Sequence, residues 1–136
     1  MYKTAVFIFA LCLFLLSNQP VAAQHDGSDP LLCAVVQVFE CEANGECNPV
    51  SIETAVLPRF INVNFEKQEI SATEESGITD VSAIRNFERI DGRLILQGAE
   101  NGRGWTIVVL EETGNMSATV SDEDVGFVLF GACRKN

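Results

Sequence analysis

Short segments in which apolar and polar residues alternate recur along most of the chain, and polar or glycine-containing turns separate them. Residues 60–65 alternate in this way, which predicts a half-buried strand. Residues 31–41 are rich in valine and bounded by polar stretches, which also favours a strand. Further strands are predicted over residues 69–73, 84–90, 93–97, 105–110, 116–120 and 125–133. No long segment has a helical period, and one helical turn is predicted within residues 51–56.

The turns between these segments predict an antiparallel meander. Asp91-Gly92 lies between two predicted strands and is the strongest hairpin signal in the chain, and Asn44-Gly45 marks a second turn. A glycine-rich loop is predicted over residues 98–104. Short strands with turns every 8 to 12 residues are typical of all-β domains. We therefore predict an all-β fold, a small antiparallel meander of seven or eight strands that forms a barrel or a sandwich.

The N-terminal segment predicts export from the cytoplasm. Lys3 precedes an apolar stretch over residues 4–16, and the small residues Ala22 and Ala23 follow a polar break. A retained membrane anchor is the alternative, but spanning a bilayer takes about 20 apolar residues. We predict a signal peptide over residues 1–23, cleaved after Ala23. A flexible lead-in over residues 24–30 and a single β domain over 31–136 would follow, periplasmic or secreted, with no membrane attachment after cleavage.

Four cysteines outside the predicted signal peptide indicate two disulfides. Cys41 and Cys47 bracket a turn, whereas Cys33 opens the first strand and Cys133 closes the last. If the first and last strands pair, Cys33 and Cys133 lie side by side. We predict the bonds Cys41–Cys47 and Cys33–Cys133. Zinc binding is the weaker interpretation, because no pair has the close spacing that zinc sites use.

Acidic residues outnumber basic ones, which excludes several classes of partner. The full chain has a net charge of −10, and residues 24–136 carry eight basic and 19 acidic residues, a net charge of −11. Nucleic acid and anionic lipid both require a basic surface. A basic protein or a component of the cell envelope is the partner that this charge favours. The oligomeric state is not indicated by the sequence.

The sequence contains no recognisable catalytic, metal or cofactor motif, so we predict a protein that is not an enzyme. The single histidine, His25, lies in the lead-in, where nothing would hold it as a general base. Asn101 to Gly104 join two predicted strands and do not open a helix, which a phosphate-binding loop requires. A carboxylate-dependent hydrolase of cell-wall sugars remains an alternative, because such enzymes need only two acids.

Three polar loops on the predicted frame are the candidate contact regions, because loops on a rigid scaffold often carry recognition. They cover residues 73–80, 98–104 and 121–124, and the candidate binding residues in them are Ser76, Gly77, Asp80, Asn101, Arg103, Asp122, Glu123 and Asp124. A small barrel is filled by its own side chains, so we expect no internal pocket. Trp105 is accordingly interpreted as a core residue.

One of these loops is similar to the binding loop of the small periplasmic inhibitors of lysozyme, which are also acidic, disulfide-linked β-barrels. That loop carries Ser-Gly-x-x-Tyr, and here Ser76-Gly77-Ile78-Thr79 is followed by Asp80 at the tyrosine position. The similarity covers two residues and is an analogy. The leading hypothesis is a non-enzymatic exported binding or inhibitor-like module, and a structural envelope protein that forms homo-oligomers is a further alternative.

Overall fold

Eight antiparallel strands close into a barrel in the computed structural model, which describes residues 27–136. The predicted signal peptide and the first residues of the lead-in lie outside this range. The elements are β1 (Leu31–Glu42), β2 (Cys47–Val50), β3 (Phe60–Asn64), β4 (Glu69–Ala72), a short 3-10 helix (Glu74–Ser76), β5 (Val81–Ile90), β6 (Arg93–Glu100), β7 (Arg103–Leu110), β8 (Asn115–Ser121) and β9 (Val125–Lys135).

The sheet is a meander in which neighbours in sequence are neighbours in space from β3 to β9. Strand β1 pairs with both β3 and β9 and thereby closes the barrel. The predicted all-β fold is confirmed, and of its two forms the structure is a barrel. Strand β2 was not predicted; it pairs with the second half of β1 outside the eight-strand ring. Strand β5 begins at Val81, three residues earlier than the alternation indicates.

Both predicted disulfides are present, and each joins residues that are direct cross-strand partners. Cys33 of β1 faces Cys133 of β9, so this bond closes the barrel where its first and last strands meet. Cys41 faces Cys47 across the β1–β2 hairpin. The two bonds are consistent with an oxidising environment outside the cytosol.

Two-residue turns set the register of two hairpins. Asp91 and Gly92 both have positive φ, 49° and 71°, which is the conformation that matches the twist of antiparallel strands. Asn101 and Gly102 do the same between β6 and β7, with φ of 50° and 81°. The predicted glycine-rich loop over residues 98–104 is therefore wrong, because the strands run into it from both sides and leave only this turn.

One end of the barrel, which we call the closed end, carries the β3–β4, β5–β6 and β7–β8 turns. Its interior is packed with fully buried side chains, namely Leu31, Cys33, Val63, Leu94, Leu96 and Val109. Glu111 is buried at this end, with 7% of its surface exposed. Arg89 binds both of its carboxylate oxygens, at 2.6 and 2.8 Å. This pairing compensates the cost of burying the charge.

Candidate functional site

The opposite end of the barrel, the open end, brings together the loop after β4, the β6–β7 turn and the β8–β9 turn. These contain the three regions that the sequence offers as contact candidates. Asp80, Asn101, Arg103 and Asp122 line one cavity at this end, with a volume of about 400 Å³. Contact between these regions was not predicted. It follows from the meander, because alternate connections of an antiparallel barrel emerge at the same end.

The wall of this cavity is mainly apolar and reaches into the barrel. Its interior members come from five strands and are Ile61, Ile70, Trp105, Ile107, Ala118 and Leu129. The expectation of a barrel filled by its own side chains is wrong for this half of the interior. One reason is side-chain size, since the inward position of β8 at this level is only Ala118, and the indole of Trp105 lies against the wall at Gly98.

Trp105 forms one side of the cavity and is held in place by its surroundings. Gly98 is its direct partner on β6, and a Cβ atom at Gly98 would collide with the indole ring. The ring therefore lies over Gly98, where only a glycine leaves room. The indole Nε1 donates a hydrogen bond of 2.8 Å to Ser82 Oγ on β5. The side chain thus bridges from β7 across β6 to β5, with the cavity beside it.

Ser82 is the one uncharged polar residue that is buried among residues 27–136, with 5% of its surface exposed, and it lines the same cavity. Its oxygen accepts the bond from Trp105, and within the described residues its hydroxyl proton is donated to no protein atom. A buried side-chain polar atom usually has at least one hydrogen-bond partner, and Trp105 supplies that partner here. Ser82 thus places a hydroxyl on the wall of the cavity.

Apolar side chains also stand at the mouth of the cavity, on the segment that connects β2 with β3. Val56, Leu57 and Pro58 line the mouth, while Ile52 and Ala55 anchor the segment in the core. Val56 has a φ of 53° and is 72% exposed. A β-branched residue rarely adopts this left-handed conformation, and such outliers concentrate at functional sites.

The rim of the cavity carries more negative than positive charge. Asp80, Glu100 and Asp122 contribute carboxylates, and Arg103 contributes the guanidinium. Arg103 Nε lies 2.8 Å from Asp122 Oδ2. This hydrogen bond, followed by one from the Glu123 backbone N–H, holds the pKa of Asp122 below its ordinary value. Arg103 is therefore engaged with a carboxylate of the chain itself.

Substituting Arg103→Met is expected to raise the pKa of Asp122 toward the ordinary aspartate value. The pair contributes stability above the unfolded-state pKa of Asp122, and this contribution is lost as the pH falls through the folded-state value. NMR titration of the Asp122 carboxyl carbon measures the shift. Arg93→Met is the control, because Arg93 binds the Asp91 carbonyl oxygen at the closed end. An unchanged Asp122 titration in Arg103→Met would contradict the pairing.

The remaining candidate residues lie near the cavity without lining it. The Ser76 hydroxyl donates to the Thr73 carbonyl oxygen and accepts from the Ile78 N–H, so it stabilises its own loop. Gly77 has a φ of 69° and ends the 3-10 helix. Glu123 and Asp124 are exposed on the β8–β9 turn. Trp105 and Ser82 were not predicted as site residues. The sequence feature that could have pointed to them is Gly98, a glycine within an otherwise apolar strand.

Within residues 27–136 no group of three or more histidine, cysteine or acidic side chains is arranged to hold a metal ion. Comparison of the chain with models of protein families, with curated proteins and with solved structures gave no match. The function of the open end is therefore inferred from its geometry alone. That geometry is a mainly apolar cavity with one aromatic side, one buried hydroxyl and an acidic rim.

Proposed function

We propose that the protein is an exported, non-enzymatic binding module that takes a small, largely apolar ligand into the cavity at the open end. The observation that carries this proposal is the cavity itself, about 400 Å³ of space inside a stapled barrel. Ligand sites in proteins are concave and mostly apolar, with volumes of about 300–1,000 Å³ and a few oriented polar groups. Eight-stranded barrels are wide enough to hold one small ligand.

The frame around the cavity is suited to binding without rearrangement. The cavity wall is built from strand residues, and Trp105 is fixed between Gly98 and Ser82. A preformed site loses little conformational freedom when a ligand enters. Rigid walls with apolar residues at an open mouth support a binding role.

Export to the periplasm or to the medium is part of this proposal. The predicted signal peptide and the two disulfides both support it. Among residues 27–136 no helix is long and apolar enough to cross a membrane.

A hydrolase would require two convergent acids, one of them in a desolvated setting that raises its pKa. Glu111 is the buried carboxylate of the described part of the chain, and it is paired with Arg89 at the closed end, away from the cavity. Of the three rim carboxylates, Asp80 and Asp122 are exposed and Glu100 is half-buried, so the rim contains no buried pair. A binding role accounts for these acids as surface charge around the mouth.

A structural role through self-association is the second candidate, and one observation favours it. The outer face of β1 and β9 exposes apolar side chains, among them Val36 and Phe130, the latter 44% exposed. The Phe39 ring packs edge-on against Phe130, with centroids 6.3 Å apart. Light scattering of the purified protein distinguishes an oligomer from a monomeric binder.

A neutral apolar dye, N-phenyl-naphthylamine, is expected to bind the protein at one saturable site. A ligand at 100 times its dissociation constant stabilises by about 2.7 kcal/mol, which raises the melting temperature of a domain of this size by roughly 10 °C. Energy transfer from Trp105, the single tryptophan of the sequence, reports binding next to it.

The matched variants for this experiment change an alanine to leucine inside and outside the barrel. Ala118→Leu places three more carbons in the cavity, whereas Ala99→Leu places them on the exposed face of β6. The first is expected to weaken dye binding by at least about tenfold, and the second to leave it unchanged. Equal dye affinity in both variants, or no saturable binding by the parent protein, would show that the cavity is not a ligand site.

A further inference from the structure

We infer that the ligand of the open-end cavity is a small amphipathic cation, an organic amine or ammonium compound with an apolar body. This inference rests on the proposed function and names the chemical class of its ligand. It follows from three features that surround the same space. They are the apolar wall, the indole ring of Trp105 and the balance of charge on the rim.

The apolar body of such a ligand matches the interior of the cavity. The wall residues Ile61, Ile107 and Leu129 offer no charged group, and a ligand that buries a carbon chain there gains roughly 0.8 kcal/mol for each buried CH₂ group. A charged end cannot follow the chain inward, because a charge far from water needs a partner. It must therefore remain at the mouth.

The charge on the rim determines whether a cationic or an anionic end of the ligand is favoured there. Three carboxylates and one guanidinium line the cavity, and the guanidinium of Arg103 is bound to Asp122. Within the described residues, Asp80 and Glu100 form no ion pair with the chain. An anionic ligand would have to displace Asp122 from Arg103, whereas a cation finds two carboxylates without such competition. The net charge of −10 on the whole chain acts in the same direction.

Trp105 adds a second group that favours a cation. Its ring lies against Gly98 and also lines the cavity. Indole is the aromatic side chain that attracts cations most strongly through its π face. The bond from Nε1 to Ser82 fixes the ring in this position before a ligand arrives. The acidic rim and the indole ring thus line the same cavity and both favour an ammonium group.

The test is competition against bound N-phenyl-naphthylamine by three compounds with the same chain: octylamine, octanol and octanoate, at neutral pH and low salt. Octylamine is expected to bind about tenfold more tightly than octanoate, with octanol between them. Added salt is expected to reduce the preference, because the rim is exposed to solvent. Equal binding of all three would overturn the cationic inference and leave the binding cavity standing. If the dye itself does not bind, so that no compound can displace it, the proposed function is overturned as well.

The rim is tested by the double variant Asp80→Asn/Glu100→Gln. It is expected to weaken octylamine about three- to tenfold and to leave octanol unchanged. Glu66→Gln/Glu112→Gln removes the same charge from exposed turns at the closed end and serves as the control. If the control variant weakens octylamine as much as the rim variant does, general attraction by the acidic chain explains the preference and the assignment to the rim is wrong.

Discussion

Replacing Cys33 and Cys133 together by alanine is expected to lower the melting temperature by roughly 15–20 °C. The bond joins residues 100 positions apart, and for such a loop the chain-entropy model assigns about 4.7 kcal/mol. About 4 °C per kcal/mol is typical for a domain of this size. The expected loss is large because this bond holds the two strands that close the barrel. Differential scanning calorimetry of the oxidised protein measures it.

The second disulfide provides the matched comparison. Cys41 and Cys47 are six positions apart, and the same model assigns their bond about 2.4 kcal/mol. Alanine at both positions is therefore expected to lower the melting temperature by roughly 8–10 °C, about half the effect. Both variants keep one native disulfide and lose two sulfur atoms. Melting temperatures that agree within about 3 °C would contradict the account based on loop length.

Most of the fold could be predicted because it depends on local and alternating patterns. The strands follow the period of two in segments such as residues 60–65, and Asp91-Gly92 specifies its hairpin through positive φ. The pairing of Cys33 with Cys133 required one further assumption, that the first and last strands meet. Strand β2 was missed because Cys47–Val50 contains a proline and pairs with only the second half of β1.

The cavity could not be predicted because it depends on which inward residues share a level of the barrel. Leu94 and Leu96 of β6 lie in the closed half, and Met116 of β8 is buried with them. Gly98 and Ala118 follow at the next inward positions toward the open end. The indole of Trp105 fits against Gly98, and the small Ala118 leaves space nearby, only because the register brings these residues to one level of the barrel. The sequence of one strand does not indicate which residues of the other strands lie at the same level of the barrel.

Substituting Gly98→Ala is expected to damage both the stability and the binding site through one methyl group. The new Cβ would collide with the indole of Trp105 and would stand 2.5 Å from the Ala83 carbonyl oxygen. The indole must move to relieve the first contact, and the backbones of β5 and β6 must shift to relieve the second. Overpacking of this kind costs about 1–3 kcal/mol, and displacement of the ring also breaks its bond to Ser82. We expect a melting temperature lower by roughly 10 °C.

The same variant is expected to lose affinity for N-phenyl-naphthylamine by at least about tenfold, because the displaced ring enters the cavity. Its Trp105 emission should shift to longer wavelength as the indole loses its fixed surroundings. Gly104→Ala is the matched control. A Cβ there would meet no atom within 4 Å, so this variant should keep the parent's emission and dye affinity. Identical behaviour of the two alanine variants would contradict the placement of Trp105 over Gly98.

A double-mutant cycle separates the contact with the ring from the contact with the backbone. In a Trp105→Leu background the indole is absent, and Gly98→Ala then meets the Ala83 carbonyl alone. The cost of the added methyl should therefore fall by about 1 kcal/mol or more relative to its cost in the parent, which is the coupling expected of residues in direct contact. If the cost is the same in both backgrounds, the backbone clash dominates and Gly98 is a requirement of the β5–β6 pairing. If it falls, Gly98 is the residue that allows the barrel to hold a tryptophan beside an open cavity.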